Sequence, residues 1–279
     1  MPAIRDSDRH AVVRCTSCGH FQLAPLPDAI ADREFYDADL QTRNLDTRID
    51  LEVLSKKKAH DTDRRMRFLE EAGFRPGASV LDVGSGYGMF LAEAFRRGYR
   101  AVGIEISRDR RAAASTLTGA PVLDINLLDG DHDELGVFDA VTLFQVVEHL
   151  TEPGALLERL TRRLAQDGAL LVEVPNRDDA MIELSAPYGR FFWQRAHVSY
   201  FDPAGLRRVM LEAGCRRVQI HGLQRYGLGN HLHWLLRRGP QVFRPSFEAS
   251  GPIRAIEKAY KRRLERRLTS DSIIAVGRL

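Results

Sequence analysis

From about residue 78 onward, apolar residues alternate between strand-like and helix-like spacing, and this alternation predicts the core. Val80 to Val83 form a short apolar, β-branched run with one acid, Asp82, near its end, as in a buried strand. Gly84, Gly86 and Gly88 follow, separated by Ser85 and Tyr87. A glycine at every second place lets the backbone turn sharply and approach a ligand closely. Phe90, Leu91, Ala94 and Phe95 then recur at helical spacing, with Gly98 where a helix stops. Ala101–Glu105, Pro121–Asp124, Phe138–Phe144 and Ala169–Val174 read as four more strands. A helix is expected from Ser107. Another is expected from Thr151-Glu152-Pro153, with Leu156, Leu157, Leu160 and Leu164 as its buried stripe and Gly168 as its end. Consecutive strand–helix units predict an open α/β sheet, mostly parallel, with its ligand crevice at the carboxyl edge.

The flanks read differently. Asp46 to Ala72 has helical spacing at Ile49, Val53, Met66, Phe68 and Leu69, with Lys56-Lys57-Lys58 as a solvated face. The stretch from Arg177 to Pro203 is the most aromatic, with Tyr188, Phe191, Phe192, Trp193, Tyr200 and Phe201. It follows the fifth strand and so falls at the ligand edge, where loops carry specificity. Asp202-Pro203 reads as a helix start with Leu206, Val209, Met210 and Ala213 turned inward. Val218–Ile220 and Ser272–Val276 are the expected sixth and last strands. Ile253–Leu268 reads as a basic helix with Ile256, Tyr260 and Leu264 on one face. The division expected is an N-terminal arm, 1–45, and a main domain, 46–279, with insertions near 177–203 and 222–270.

Composition narrows the class. The chain has 279 residues, 44% hydrophobic and 28% charged, as an ordinary globular protein does. A formal charge of +3 supplies no field that selects nucleic acid. No apolar run is long enough to span a membrane, and the first residues lack the apolar core of a signal peptide. Three cysteines are too few for a disulfide framework, so a cytoplasmic location is expected. Cys15 and Cys18 form one C-x-x-C knuckle, with His10 and His20 nearby; a closed zinc site takes four ligands, and only one such knuckle is present.

The glycine turn identifies the cofactor class. A dinucleotide turn is spaced G-x-G-x-x-G. Here the spacing is G-x-G-x-G, and Asp82, two residues earlier, would repel a pyrophosphate but suit a cationic ligand. D-V-G-S-G-Y-G, residues 82–88, resembles motif I of the class I S-adenosylmethionine (SAM)-dependent methyltransferases. The resemblance implies a Rossmann-like fold, with a seven-stranded, mostly parallel sheet, the last strand antiparallel, and helices on both faces. It implies that Asp82, Gly84, Ser85, Gly86, Tyr87 and Gly88 bind the cofactor and that Glu105 takes both ribose hydroxyls. Ile106 would line the adenine, with Asp124, Ile125 and Asn126 framing it, and Gln145 would face the methionyl end.

Gln145-Val146-Val147-Glu148-His149-Leu150 resembles the E-H-L tail of small-molecule methyltransferases, including those of ubiquinone biosynthesis. The D/N-P-P-Y box of nucleic-acid amino-methyltransferases is absent. The arm resembles half of the zinc ribbon found in some sugar methyltransferases. Residues 197–203 and the Q-R-Y…N-H-L-x-W-L segment at 224–235 resemble bacterial enzymes of polysaccharide or secondary metabolism.

The expected activity is therefore methyl transfer to a small polar acceptor, with a sugar or glycan hydroxyl first. Methylation of N or C in another metabolite, a nucleic-acid methyltransferase, a dinucleotide oxidoreductase and a non-catalytic SAM-binding protein are the alternatives. A hydroxyl acceptor needs a base, and histidine titrates near neutral pH. The candidates are His149, His197 and His231. Tyr188, Trp193, Tyr200, Tyr226 and Asn230 are the candidate acceptor contacts. Glu148 with His149, or Cys15 with Cys18, are the candidate metal ligands. The oligomeric state is open, a homodimer included.

Overall fold

A computed structural model describes residues 3–27, 51–130, 132–240 and 251–279. The part of the expected helical stretch from Asp46 to Asp50 lies outside the described residues. The N-terminal segment forms β1 (Ala3–Ile4), β2 (Ser7–Arg14) and β3 (Phe21–Ala24). The Cys15–Gly19 turn joins β2 to β3, with Gly19 N–H donating to the Cys15 carbonyl at 2.9 Å. This hairpin does not stand apart from the rest of the chain. β3 pairs antiparallel with β9 (Ser199–Tyr200), matching Phe21 to Tyr200. Ile4, Val12, Leu23, Trp193 and Tyr200 bury a small apolar cluster beneath it.

The main domain runs α1 (Leu51–Glu71), β4 (Ser79–Val83), α2 (Met89–Arg96), β5 (Arg100–Ile104), α3 (Arg108–Leu117), β6 (Val122–Leu123), β7 (Phe138–Phe144), α4 (Pro153–Thr161) and β8 (Leu164–Pro175). α5 (Ala180–Leu184), α6 (Ala186–Phe192) and β9 follow, then α7 (Pro203–Glu212), β10 (Arg217–Leu223), α8 (Leu228–Arg237), α9 (Arg254–Arg266) and β11 (Ser272–Arg278). The seven-stranded sheet has the order β10-β11-β8-β7-β4-β5-β6. β4 through β8 pair parallel, and β11 inserts antiparallel between β10 and β8. This is the Rossmann-like methyltransferase sheet that the sequence predicts.

Strand periodicity divides the core into two layers. Leu81, Val83, Leu170, Val172 and Val174 face α4 and α7. Val80, Ala169, Leu171 and Ile274 face α1 and α2. Each fully buried leucine or valine contributes roughly 1.5–3 kcal/mol, so the apolar alternation alone specifies which side of each strand points inward. Strand order reverses between β4 and β7, and a crevice opens beyond their carboxyl ends, as at any such switch point.

Three local expectations are corrected. Leu164 belongs to β8 rather than to the preceding helix, which ends at Thr161; Leu164 pairs with Phe138, and the register shifts before Ala140 meets Ala169. Gly168 is a close-approach glycine within that irregularity, since a Cβ there would fall 2.9 Å from the Ala165 carbonyl oxygen. On α9 the buried positions are Glu257 and Leu264, while Ile256 is exposed. The helix packs its backbone at Glu265 directly on Gly222 of β10, which fixes a different face inward. The lysine run is solvent-exposed as expected, with Lys56 paired to Glu52 and Lys58 at the edge of the crevice.

Candidate functional site

The β4 turn forms one wall of the crevice, which has a volume of about 480 Å³, within the ~300–1,000 Å³ of small-molecule sites. Gly84, Gly86 and Gly88 have φ of 70°, 57° and 77°, so the turn needs three left-handed residues in alternation. Gly84 N–H and Ser85 N–H both donate to the Ile104 carbonyl, at 2.8 and 3.0 Å, which locks the turn onto the end of β5. Glu105 is buried just beyond. Its two carboxylate oxygens accept from Gly86 N–H at 2.7 Å and Ser107 N–H at 2.8 Å. Asp82, 3% exposed, accepts from the Thr142 hydroxyl at 2.7 Å. Burial raises its pKa to about 7, against the pull of that hydrogen bond. Tyr87, Ile106 and Gln145 complete the expected set that lines the crevice.

A charged floor lies beneath, and sequence reasoning did not single it out. Glu173, near the carboxyl end of β8, has no solvent exposure. It accepts from Arg64 at 3.3 Å, Arg65 at 3.2 and 3.4 Å, and the Gln145 side chain at 3.2 Å. Burial alone would raise its pKa, but Arg65, Arg64 and Arg225 outweigh it and hold the group at about 2. Asp61 pairs with Arg225 at 2.8 Å and Arg64 at 3.0 Å. Burial opposes ionisation there too, and the two arginines hold its pKa well below the usual carboxylate range. The visible signal was one acid in an otherwise apolar strand. Gln145 sits above this floor with φ 62°, a left-handed conformation that a non-glycine residue adopts at a cost.

A second cavity, of about 370 Å³, adjoins the first, and Gln145 and Arg225 line both. Tyr188, Phe191, Phe192, Trp234 and Tyr226 supply aromatic walls, with Asn230, His197 and Asp271 among the polar groups. His149 lines the crevice and His197 the second cavity, with ring centroids 5.1 Å apart, edge to face. His149 Nδ1 lies 2.7 Å from the Ala196 carbonyl. A carbonyl only accepts, so Nδ1 carries the proton and Nε2 the lone pair. Burial, chiefly, with Arg5 and the neighbouring imidazole of His149, holds His197 well below its ordinary pKa, so its imidazole is neutral. Glu148, 2% exposed, has neither carboxylate oxygen hydrogen-bonded among the described residues, and burial raises its pKa to about 8. Glu148, His149 and His197 each bring one ligand atom within 4.8 Å of the others. One carboxylate and two imidazoles suit a divalent transition metal.

The structure places the remaining predicted residues elsewhere. His231 is a buried residue of α8, with Nδ1 2.6 Å from the Tyr260 hydroxyl and Nε2 3.3 Å from the Gln224 side chain. Burial lowers its pKa to about 4. Trp193 and Tyr200 are buried in the cluster under the N-terminal hairpin. Asp124 turns outward to a bidentate pair with Arg111, Asn126 caps Leu128 N–H, and Ile125 packs on the core. Gly88 supports the turn from behind, against Ala114 and Thr118. Cys15 and Cys18 are free thiols, and among the described residues no cluster of three ligands includes them.

Comparison with known proteins agrees with this geometry. Residues 55–220 match the family described as methyltransferase domain. A ubiquinone biosynthesis O-methyltransferase of Psychrobacter arcticus is 28% identical over 174 residues, covering 57% of this chain and 66% of that protein. A second, from a Caulobacter species, is 29% identical over 161 residues, 52% of this chain and 61% of that protein. The matches therefore span slightly less than two thirds of these relatives. Among solved structures, a SAM-dependent methyltransferase from Archaeoglobus fulgidus aligns with a TM-score of 0.55 at 15% identity, over 80% of this chain and 94% of that one. Magnesium protoporphyrin IX methyltransferase from Synechocystis, solved with bound S-adenosylhomocysteine, aligns with a TM-score of 0.53 at 15% identity, over 90% of this chain and 99% of that one. At such identity the two structures share the fold. Among the described residues no helix is long and apolar enough to cross a membrane.

Proposed function

Because this chain belongs to the methyltransferase domain family, we propose that it transfers a methyl group from SAM to a hydroxyl of a small polar acceptor, a sugar or glycan first among them. The observation that carries this reading is the pair of cavities meeting at Gln145 and Arg225, one glycine-walled with Asp82 and Glu105 in its lining, the other aromatic. When bound, SAM supplies an electrophilic methyl on a sulfonium, and attack by an oxygen leaves a neutral thioether.

The chain's own residues supply position and proton transfer. Glu105 receives the ribose hydroxyls while its backbone donors keep it fixed. Asp82 receives the methionyl ammonium, and the cation offsets the burial that otherwise keeps this acid protonated near pH 7. Gln145, held by Glu173 at 3.2 Å, orients the reacting end between the cavities. Fixing both partners at attack distance supplies most of the rate in such a displacement. His149 takes the acceptor hydroxyl proton at Nε2, since its Nδ1–H is committed to Ala196. The aromatic walls stack on the apolar face of the acceptor ring.

A metal-assisted form of the same reaction is favoured by one observation, the buried carboxylate of Glu148, unbonded among the described residues, beside two imidazoles. Glu148, His149 and His197 would hold a divalent ion, which would lower the pKa of the acceptor hydroxyl. Turnover is tested with methyl-labelled SAM against a panel of sugars and phenols, before and after dialysis against a chelator. Transfer to a hydroxyl that survives chelation supports His149 as base. Transfer restored only by added Zn²⁺ or Mg²⁺ supports the metal form. Transfer to nucleic acid alone would overturn both.

A further inference from the structure

Asp271 immediately precedes β11 and stands in the wall of the aromatic cavity. It is 6% exposed. Its Oδ2 accepts three hydrogen bonds, from the Gln224 side chain at 2.8 Å and from Arg225 and Tyr226 N–H at 2.9 Å each. Its Oδ1 is buried and accepts none among the described residues. A carboxylate oxygen left bare in a protein interior forfeits on the order of 1–3 kcal/mol, so its persistence calls for an explanation.

The surroundings say what would satisfy it. Tyr188 and Trp234 meet edge to face at 5.2 Å, and Phe191 lies 5.2 Å from Trp234. Aromatic walls with a carboxylate among them favour a cation over a neutral group. Asp179 adds a second carboxyl close by, bonded to the Tyr188 hydroxyl at 2.5 Å. Burial raises Asp179 to about 7, and the neighbouring Asp271 adds to the shift.

We propose that the aromatic cavity takes an acceptor bearing a protonated amine, held between the ring faces and Asp271 Oδ1. This rests on the methyl-transfer reading of the adjoining crevice. An ammonium so held has no free lone pair and cannot itself attack a methyl group. The amine is therefore an anchor that fixes the acceptor while a hydroxyl elsewhere on it reacts. The substrate class is an amino sugar or another amine-bearing polyol, not a neutral sugar.

The test is binding of glucosamine, glucose and N-acetylglucosamine to the full chain, by calorimetry near neutral pH. These three probes offer an ammonium, a hydroxyl and an amide at one ring position. Glucosamine should bind at least tenfold more tightly than the other two, about 1.4 kcal/mol. Asp271→Asn sharpens the test. Its amide oxygen can keep the three donors that Oδ2 now holds, which puts an NH₂ donor where Oδ1 was. The preference should vanish in that variant. Equal binding of the three probes by wild type, or none at all, overturns the proposal and needs no variant to fold. So does a preference that survives Asp271→Asn. SAM is titrated into the same wild-type preparation. SAM binding without amine preference sinks this inference alone, and amine preference without SAM binding sinks the methyl-transfer reading alone.

Discussion

Replacing Gly86 and Gly88 separately by alanine separates ligand contact from fold, because the two glycines share a conformation but not a neighbourhood. Both lie at positive φ, 57° and 77°. An alanine forced into that region costs ~1–2 kcal/mol. A Cβ on Gly86 meets nothing within 4 Å, so the strain is its whole cost to stability. A Cβ on Gly88 would fall 2.9 Å from Ala114 Cβ and 2.8 Å from Thr118 Cγ2, where α3 leaves no room. Such overpacking adds ~1–3 kcal/mol. At ~2–4 °C per kcal/mol for a domain of this size, Gly86→Ala should lower the melting temperature by roughly 2–8 °C, and Gly88→Ala by clearly more.

Binding should rank the other way. The methyl of Gly86→Ala projects from a residue lining the crevice, where the turn's backbone approaches the cofactor. It should weaken SAM at least tenfold by calorimetry. Gly88→Ala, assayed below its melting point, should keep more of its affinity. Wild-type SAM affinity in folded Gly86→Ala would refute the reasoning, because the open space beside Gly86 would then not be ligand space.

Three further outcomes follow from the site. Asp82 has a folded pKa raised to about 7, so it must lose a proton to hold an ammonium. SAM affinity should fall as pH drops below about 7, approaching tenfold per pH unit, and the slope should flatten in Asp82→Asn; a flat wild-type profile by calorimetry would remove Asp82 from the methionyl site. Glu173 is held at about 2, so its stabilisation is present above the ordinary carboxylate pKa and is lost as pH falls toward 2. Glu173→Gln leaves Arg64 and Arg65 facing each other and should cost ~3–5 kcal/mol in denaturant melts at neutral pH, a loss that narrows in acid. His149→Ala and His197→Ala should both leave SAM affinity within about threefold while lowering turnover, and normal turnover in either would strike that residue from the reaction.

Much of this was legible because strand and helix periods are local. Val80–Val83, the glycine turn and Phe138–Phe144 announce themselves within a few residues, and their order places the crevice. Glu173 was not legible as a site residue. Its partners, Arg64 and Arg65, lie 109 and 108 positions away, and only the packing of α1 against the sheet brings them together. His231 looked like pocket equipment because it sits among polar residues beside a glycine break, but the phase of α8 turns it toward Tyr260. Trp193 and Tyr200 were read as acceptor contacts from their place in an aromatic stretch. Their destination depended on β3 pairing with β9, a non-local contact that no periodicity encodes. Asp124 was drawn outward by Arg111, thirteen positions earlier on the neighbouring helix.

The most direct test of the account is titration of SAM into the intact chain, beside NADH and beside Glu105→Ala. The account predicts saturable SAM binding at one site per chain, no competition by NADH, and loss of SAM binding when Glu105 is removed. Binding of NADH in place of SAM, or undiminished SAM binding by Glu105→Ala, would contradict it.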